Sequence, residues 1–258
     1  MIGRTGSNIP GVAASLAIVL AQSFAATAMA ADTGIRQERL QFAKGATSAI
    51  VKGHLKGDSD VDYLVRAGAG QTISVSLKRS NLMNYFNVLP PGSKDVAMYA
   101  AQTGEDFTAV LPADGDYTIR VYLVRAAARR NEASDYTLTV GVTGQALAPI
   151  PASKDALLPG TPFHASGMVA CLPYIEQFRG KKTQQCEAFV IRRGFDGTAT
   201  VEIPQENSVP RRILFVKGTP VASDSPDPVT FTRQGDVTTV KLGADEWYEI
   251  PDALVTGG

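Results

Sequence analysis

Between residues 39 and 142, apolar and polar side chains alternate in short runs. The pattern is clearest in Ser48-Ala49-Ile50-Val51-Lys52-Gly53-His54-Leu55 and Thr72-Ile73-Ser74-Val75-Ser76-Leu77-Lys78. It returns in Tyr117-Thr118-Ile119-Arg120-Val121-Tyr122-Leu123 and in Tyr136-Thr137-Leu138-Thr139-Val140. A period of two in segments rich in Val, Ile, Thr and Tyr predicts half-buried strands. Gly57-Asp58, Gly68-Ala69-Gly70, Pro90-Pro91-Gly92 and Asp114-Gly115 supply turns between them. With no long helical period in the same stretch, residues 36–143 read as an all-β unit, an antiparallel β-sandwich.

The alternation lapses over 144–160, where Pro149, Pro151 and Pro159 predict a stiff Pro-rich linker. Short strands resume in 161–258, at Cys186 to Ile191, Thr198 to Ile203, Arg212 to Val216, Val229 to Thr232 and Val237 to Leu242. This second, smaller β domain carries both cysteines, Cys171 and Cys186, outside any C-x-x-C motif. In an oxidising compartment such a pair forms one disulfide, and closing a loop of about 15 residues contributes roughly 3 kcal/mol in the chain-entropy model. The competing reading of a Cys nucleophile served by His164 requires a thiol that escapes oxidation beside a second thiol. Trp247 and Tyr248 are expected as core or edge aromatics.

The N-terminus decides the compartment. Arg4 is the one charge in residues 1–30; an apolar run from Val12 to Leu20 follows, and Ala28-Met29-Ala30 precedes a polar start at Ala31-Asp32-Thr33. This describes a secretory signal peptide cleaved after Ala30, with a periplasmic mature chain. The run is short, rich in Ala and broken by Ser15, Gln22 and Ser23, unlike a membrane span. Charge is balanced, 25 Lys+Arg against 25 Asp+Glu, which argues against nucleic acid as a partner. The sequence has two histidines, His54 and His164, and no Gly-x-Ser-x-Gly elbow, phosphate loop or His-Glu-x-x-His pair. A binding protein without catalytic residues, metal or cofactor is the expectation, and both histidines read as structural.

Leu55-Lys56-Gly57 with Tyr63, then Gly70-Gln71, then Leu111-Pro112-Ala113 with Gly115 and Tyr117, form a recognisable series. Arg120-Val121 with Arg125, Ala128-Arg129-Arg130 and Tyr136 completes it. In these residues the segment 39–142 resembles the periplasmic inhibitors of g-type lysozyme, and more distantly the sandwich domains related to pre-peptidase C-terminal domains. The resemblance implies an eight-stranded antiparallel sandwich and a protein that blocks a muramidase, with g-type lysozyme as partner. Arg125, Arg129 and Arg130 fall between two predicted strands on a loop of about nine residues, where a rigid scaffold concentrates binding groups. Glycoside hydrolysis depends on carboxyl groups, so guanidinium groups on a protruding loop suit an acidic cleft.

The candidate partner-binding residues are therefore Arg125, Arg129, Arg130, Asp58 and Tyr63. Asp58 departs from the family, because the resemblance implies an aromatic directly after the residue matching Gly57. Asp is depleted at interface centres, where aromatics and Arg carry the energy. Asp58-Ser59-Asp60-Val61-Asp62 alternates carboxylates as a calcium loop does, yet lacks the Gly and distal Glu that calcium loops need. A polar strand edge is the simpler reading. The alternative to inhibition is a cell-envelope module of the same fold that binds polysaccharide or protein.

Overall fold

The computed structural model describes residue 3 and residues 35–100, 106–173, 180, 183–206 and 208–257. Apart from Gly3, the signal peptide expected over 1–30 and its cleavage site lie outside the described residues. Residues from Ile35 onward form one compact unit. No helix among the described residues is long and apolar enough to cross a membrane.

In chain order the first strands are β1 (Arg36–Arg39), β2 (Ser48–Lys56), β3 (Val61–Ala67), β4 (Thr72–Arg79) and β5 (Asn84–Leu89). They continue with β6 (Tyr99–Ala100), β7 (Asp106–Val110), β8 (Gly115–Leu123), helix α1 (Arg125–Arg129) and β9 (Ala133–Thr143). Two sheets result, ordered β1-β3-β8-β5-β6 and β2-β9-β4-β7. Their neighbours are antiparallel except β1, which adds a parallel edge beside β3. The alternation read from the sequence points Ile73, Val75 and Leu77 of β4 inward while Ser74 and Lys78 face out. Between the sheets these residues meet Leu55, Phe86, Ile119 and Leu138, all buried. Each such side chain stabilises by about 1.5–3 kcal/mol.

Strand β8 turns one face to the core and leaves the other partly exposed. Tyr117, Ile119 and Val121 fill the core, while Arg120 on the opposite face donates two hydrogen bonds, of 2.7 and 2.9 Å, to the buried Asp62 carboxylate directly across from it on β3. Arg120, part of the stretch that carries the family resemblance, is thus a structural residue.

The second body contains β10 (Ala165–Leu172), β11 (Gln184–Arg192), β12 (Ala199–Ile203), β13 (Arg211–Val216) and β14 (Thr219–Ser223). It ends with β15 (Val229–Gln234), β16 (Val237–Leu242), β17 (Glu246–Pro251) and helix α2 (Asp252–Thr256). The strands make one antiparallel sheet, ordered β14-β13-β12-β11-β10-β17-β16-β15. Its terminal strands β14 and β15 lie beside each other, so the sheet curls toward a barrel. Val190, Val201, Ile213, Phe215, Val240 and Tyr248 fill it. Cys171 and Cys186 form the expected disulfide, joining β10 to β11. That bridge removes the Cys nucleophile reading.

His164 is buried as well. Its Nδ1 accepts the Arg192 N–H at 3.1 Å, which assigns the proton to Nε2 and lets Nε2 donate to the Ile150 carbonyl at 2.8 Å. Residues 144–160, expected as a linker, are held at both bodies: the Leu147 N–H donates to the Ala69 carbonyl and the Ile150 N–H to the Arg192 carbonyl. Leu147 also packs on a small apolar cluster of Ala69, Val110, Leu214 and Ala222, drawn from both bodies. Beside it Arg193, whose side chain is 0% exposed, reaches from the second body to the Asp114 carboxylate at 2.8 Å and to the Leu147 carbonyl. Thr200 donates to the Pro112 carbonyl, and Arg212 to that of Pro91.

Candidate functional site

Three connections meet at one end of the sandwich: the β2–β3 turn at 57–60, the β4–β5 turn at 80–83 and the β8–β9 connection at 124–132. The last was expected as a plain loop. It contains α1 instead, a single turn built from Arg125-Ala126-Ala127-Ala128-Arg129. Alanine is the strongest helix former, but a helix this short holds only through tertiary contacts. Ala127 and Ala128 provide them by dropping into the sandwich core, which leaves Arg125 and Arg129 exposed. Asn131 then takes a left-handed conformation (φ 54°) to turn the chain into β9.

Hydrogen bonds lock the three connections together. The Gly57 N–H donates to the Glu132 carbonyl at 2.9 Å, and the Val124 N–H to the Met83 carbonyl at 2.9 Å. Gly57 has φ +60°, and a Cβ there would lie 2.9 Å from Asn131 Oδ1, so the turn demands glycine. Asn81 caps its own turn by accepting the Met83 N–H and donates through Nδ2 to Glu132 Oε2 at 2.9 Å. Glu132 Oε1 accepts from Arg130 Nε at 2.7 Å. These bonds, that from Asn81 first and then that from Arg130, hold the Glu132 carboxyl below the usual carboxylate range.

The five candidate residues separate on this geometry. Arg125, Arg129, Arg130 and Asp58 come to the same end and are exposed. Arg125 and Arg129 have no carboxylate partner among the described residues, whereas Arg130 is engaged by Glu132. Tyr63 is not at this surface. It sits on the inward face of β3, fully buried, with its hydroxyl 2.7 Å from that of Tyr136. The inward register of Val61, Tyr63 and Val65 was the signal that could have placed it there.

Asp58 and Asp60 lie in the turn ahead of β3, not along a strand, and Asp62 is committed to Arg120. Burial lifts the Asp60 carboxyl above its ordinary value, with Arg120 opposing. Among the described residues no three His, Cys, Asp or Glu side chains gather to hold a metal ion. Two further exposed residues at this end escaped the sequence reading: Leu82, 71% exposed, and Met83, 43% exposed, at the tip of the β4–β5 turn.

A sandwich that presents Arg125 and Arg129, exposed and without carboxylate partners among the described residues, on loops locked to one another has the geometry that suits binding. No protein-family profile matches the chain. It is 30% identical over 129 residues to the inhibitor of g-type lysozyme of Escherichia coli (strain K12), a match that takes in 49% of this chain and 93% of that relative. Among solved structures, Aeromonas hydrophila PliG, a periplasmic lysozyme inhibitor of g-type lysozyme, is 37% identical, with a TM-score of 0.41 over 42% of this chain and 97% of that one. The Salmonella Typhimurium PliG structure is 30% identical, with a TM-score of 0.35 over 42% of this chain and 98% of that one. The chain belongs to the family of inhibitors of g-type lysozyme, matched over about half of its own length.

Proposed function

We propose that this chain is exported to the periplasm, loses residues 1–30, and inhibits g-type lysozyme through the Arg-bearing end of its first sandwich. The observation that carries this reading is the pair Arg125 and Arg129, exposed on a core-anchored helical turn and without a carboxylate partner among the described residues. Inserted into a cleft that works with carboxyl groups, they would form charge-assisted, bidentate hydrogen bonds in a partly desolvated site. Such blocking needs no chemistry of the inhibitor's own, so the chain acts as a binding protein and not as an enzyme. In this reading the two β bodies are separate domains, 36–143 and 161–258, and only the first contacts the lysozyme.

A second reading, a cell-envelope module without inhibitory activity, is favoured by one observation: exposed Asp58 stands where the resemblance implies an aromatic. Clearing of a cell-wall suspension by g-type lysozyme, with and without the purified mature protein, separates the two. Slower clearing supports inhibition; an unchanged rate with an excess of protein sinks it in favour of the module. Intact mass of the periplasmic form tests the export step, with Ala31 as the expected first residue.

A further inference from the structure

Leu82 and Met83 stand at the tip of the β4–β5 turn, with apolar side chains outside the buried core of the sandwich. Leu82 is 71% exposed and Met83 43%. Turns are ordinarily built from Gly, Asn, Asp, Pro and Ser, and here Ser80, Asn81 and Asn84 already supply that chemistry. Asn81 Oδ1 accepts the Met83 N–H, Asn84 Nδ2 donates to Ser134 Oγ at 3.1 Å, and Ser80 Oγ accepts the Asp135 N–H at 2.8 Å. The turn closes without Leu82. Single exposed apolar residues are common on protein surfaces; what distinguishes this pair is its neighbour.

Strands β5 and β8 pair outward as far as Asn84 and Leu123, and the next rung is the bond from the Val124 N–H to the Met83 carbonyl. One step further out along the two chains come Leu82 and Arg125. The Asn81–Glu132–Arg130 bonds fix the same turn to the far end of α1. The apolar tip and the guanidinium groups therefore form one continuous, rigid surface.

From this juxtaposition we propose that Leu82 and Met83 form the apolar half of the lysozyme-binding surface, seated on the apolar wall that a saccharide-binding cleft presents beside its carboxyl groups. This rests on the inhibitory reading above. Sites that hold sugar-sized ligands are lined mainly by apolar and aromatic side chains with a few convergent polar groups, so one cleft offers a partner to each half. The tip adds buried apolar area, and it excludes water from the adjacent guanidinium–carboxylate pairs, which weaken when solvated.

The experiment measures inhibition of g-type lysozyme by full-length mature wild type, Leu82→Ser, Arg125→Ala, the double variant, and Phe195→Ser. Phe195 is 67% exposed on the second body and serves as the apolar control. Leu82→Ser should weaken inhibition about tenfold, as loss of one buried aliphatic side chain does, and Phe195→Ser should leave it unchanged. The Leu82→Ser loss should grow between about 0.05 and about 0.3 M salt, because the ion pairs have become accessible to screening. In the double variant the losses should fall short of multiplying, since the groups are coupled. Melting temperatures should agree for wild type and Leu82→Ser, which separates binding from folding. If wild type inhibits and Leu82→Ser stays within twofold of it at both salt concentrations, the apolar half is wrong and the Arg half stands. An equal loss in Phe195→Ser would also overturn the proposal. A wild type that does not inhibit removes the inhibitory reading and this surface with it.

Discussion

Tyr63 of β3 and Tyr136 of β9 meet hydroxyl to hydroxyl, 2.7 Å apart, and so join the two sheets of the sandwich across its core. Burial, with the neighbouring Tyr63 hydroxyl adding to it, pushes the Tyr136 phenol well above its ordinary value. The Tyr136 ring also occupies the space over Gly53, where a Cβ would fall 2.3 Å from Cζ. Tyr136→Phe leaves one buried hydroxyl without its partner and should destabilise the protein by about 1–3 kcal/mol. Gly53→Ala should destabilise by a similar amount or more, because the ring must move. Urea unfolding measures both. A midpoint unchanged in either variant would mean the ring relaxes freely, against the packing described.

Truncation of the exposed guanidinium groups should separate binding from stability. Arg125→Ala and Arg129→Ala should each weaken inhibition by well over tenfold, since losing one partner of a desolvated charge pair costs about 2–5 kcal/mol. Neither should shift the melting temperature, as both side chains lie outside the core. Arg130→Ala should have a smaller effect on inhibition because that guanidinium is already held by Glu132. Asp58→Tyr should strengthen inhibition by placing an aromatic beside them. Full inhibition by the Arg125→Ala, Arg129→Ala double variant would remove α1 from the interface.

The bonds that Glu132 accepts from Asn81 and Arg130 make stability at this end depend on pH. The folded value of Glu132 lies below the unfolded one, so its contribution is complete above the ordinary glutamate value and is lost as pH falls through the depressed folded value. Glu132→Gln should therefore be less stable than wild type at neutral pH, and the gap should close between about pH 5 and about pH 3. Thermal unfolding across that range tests it. A gap that widens on acidification would mean that the carboxylate is not stabilised by Asn81 and Arg130.

Arg193 is a buried charge whose ion partner lies on the other body. Arg193→Ala removes the ion partner of the partly exposed Asp114 and the donor to the Leu147 carbonyl, and should cost about 1–3 kcal/mol. Calorimetry should then show two separated transitions where wild type has one, as the two bodies lose the Arg193–Asp114 pair and keep the weaker contacts of Thr200 and Arg212. A single transition at the wild-type temperature would rule this out.

Strands announced themselves where one face meets the core and the other meets water, as in β2 and β4. Strand β10 did not, because Gly167 and Ala170 blur its alternation. Strand β14 was hidden by Pro220, which reads as a turn but is tolerated at a sheet edge, where its missing N–H breaks no ladder. For α1, the run Ala126-Ala127-Ala128 was a helix signal that the short spacing between strands masked. At the candidate site, the exposure of Arg125 and Arg129 could be expected from their place between two strands, whereas Leu82 and Met83 gave no local signal. What sets them apart is the rung joining Met83 to Val124, which comes from pairing distant strands.

The contacts made by Arg193, Arg212 and Thr200 bear on where the chain can be cut. A fragment ending near Thr143 would bare an oily patch around Ala69 and Val110 and leave three hydrogen-bond acceptors, at Asp114, Pro112 and Pro91, turned to solvent. Trimming this protein to the length of its relatives therefore calls for resurfacing at that seam. Otherwise the excised sandwich carries a sticky scar that invites self-association, at some distance along the chain from the arginines it was cut out to display.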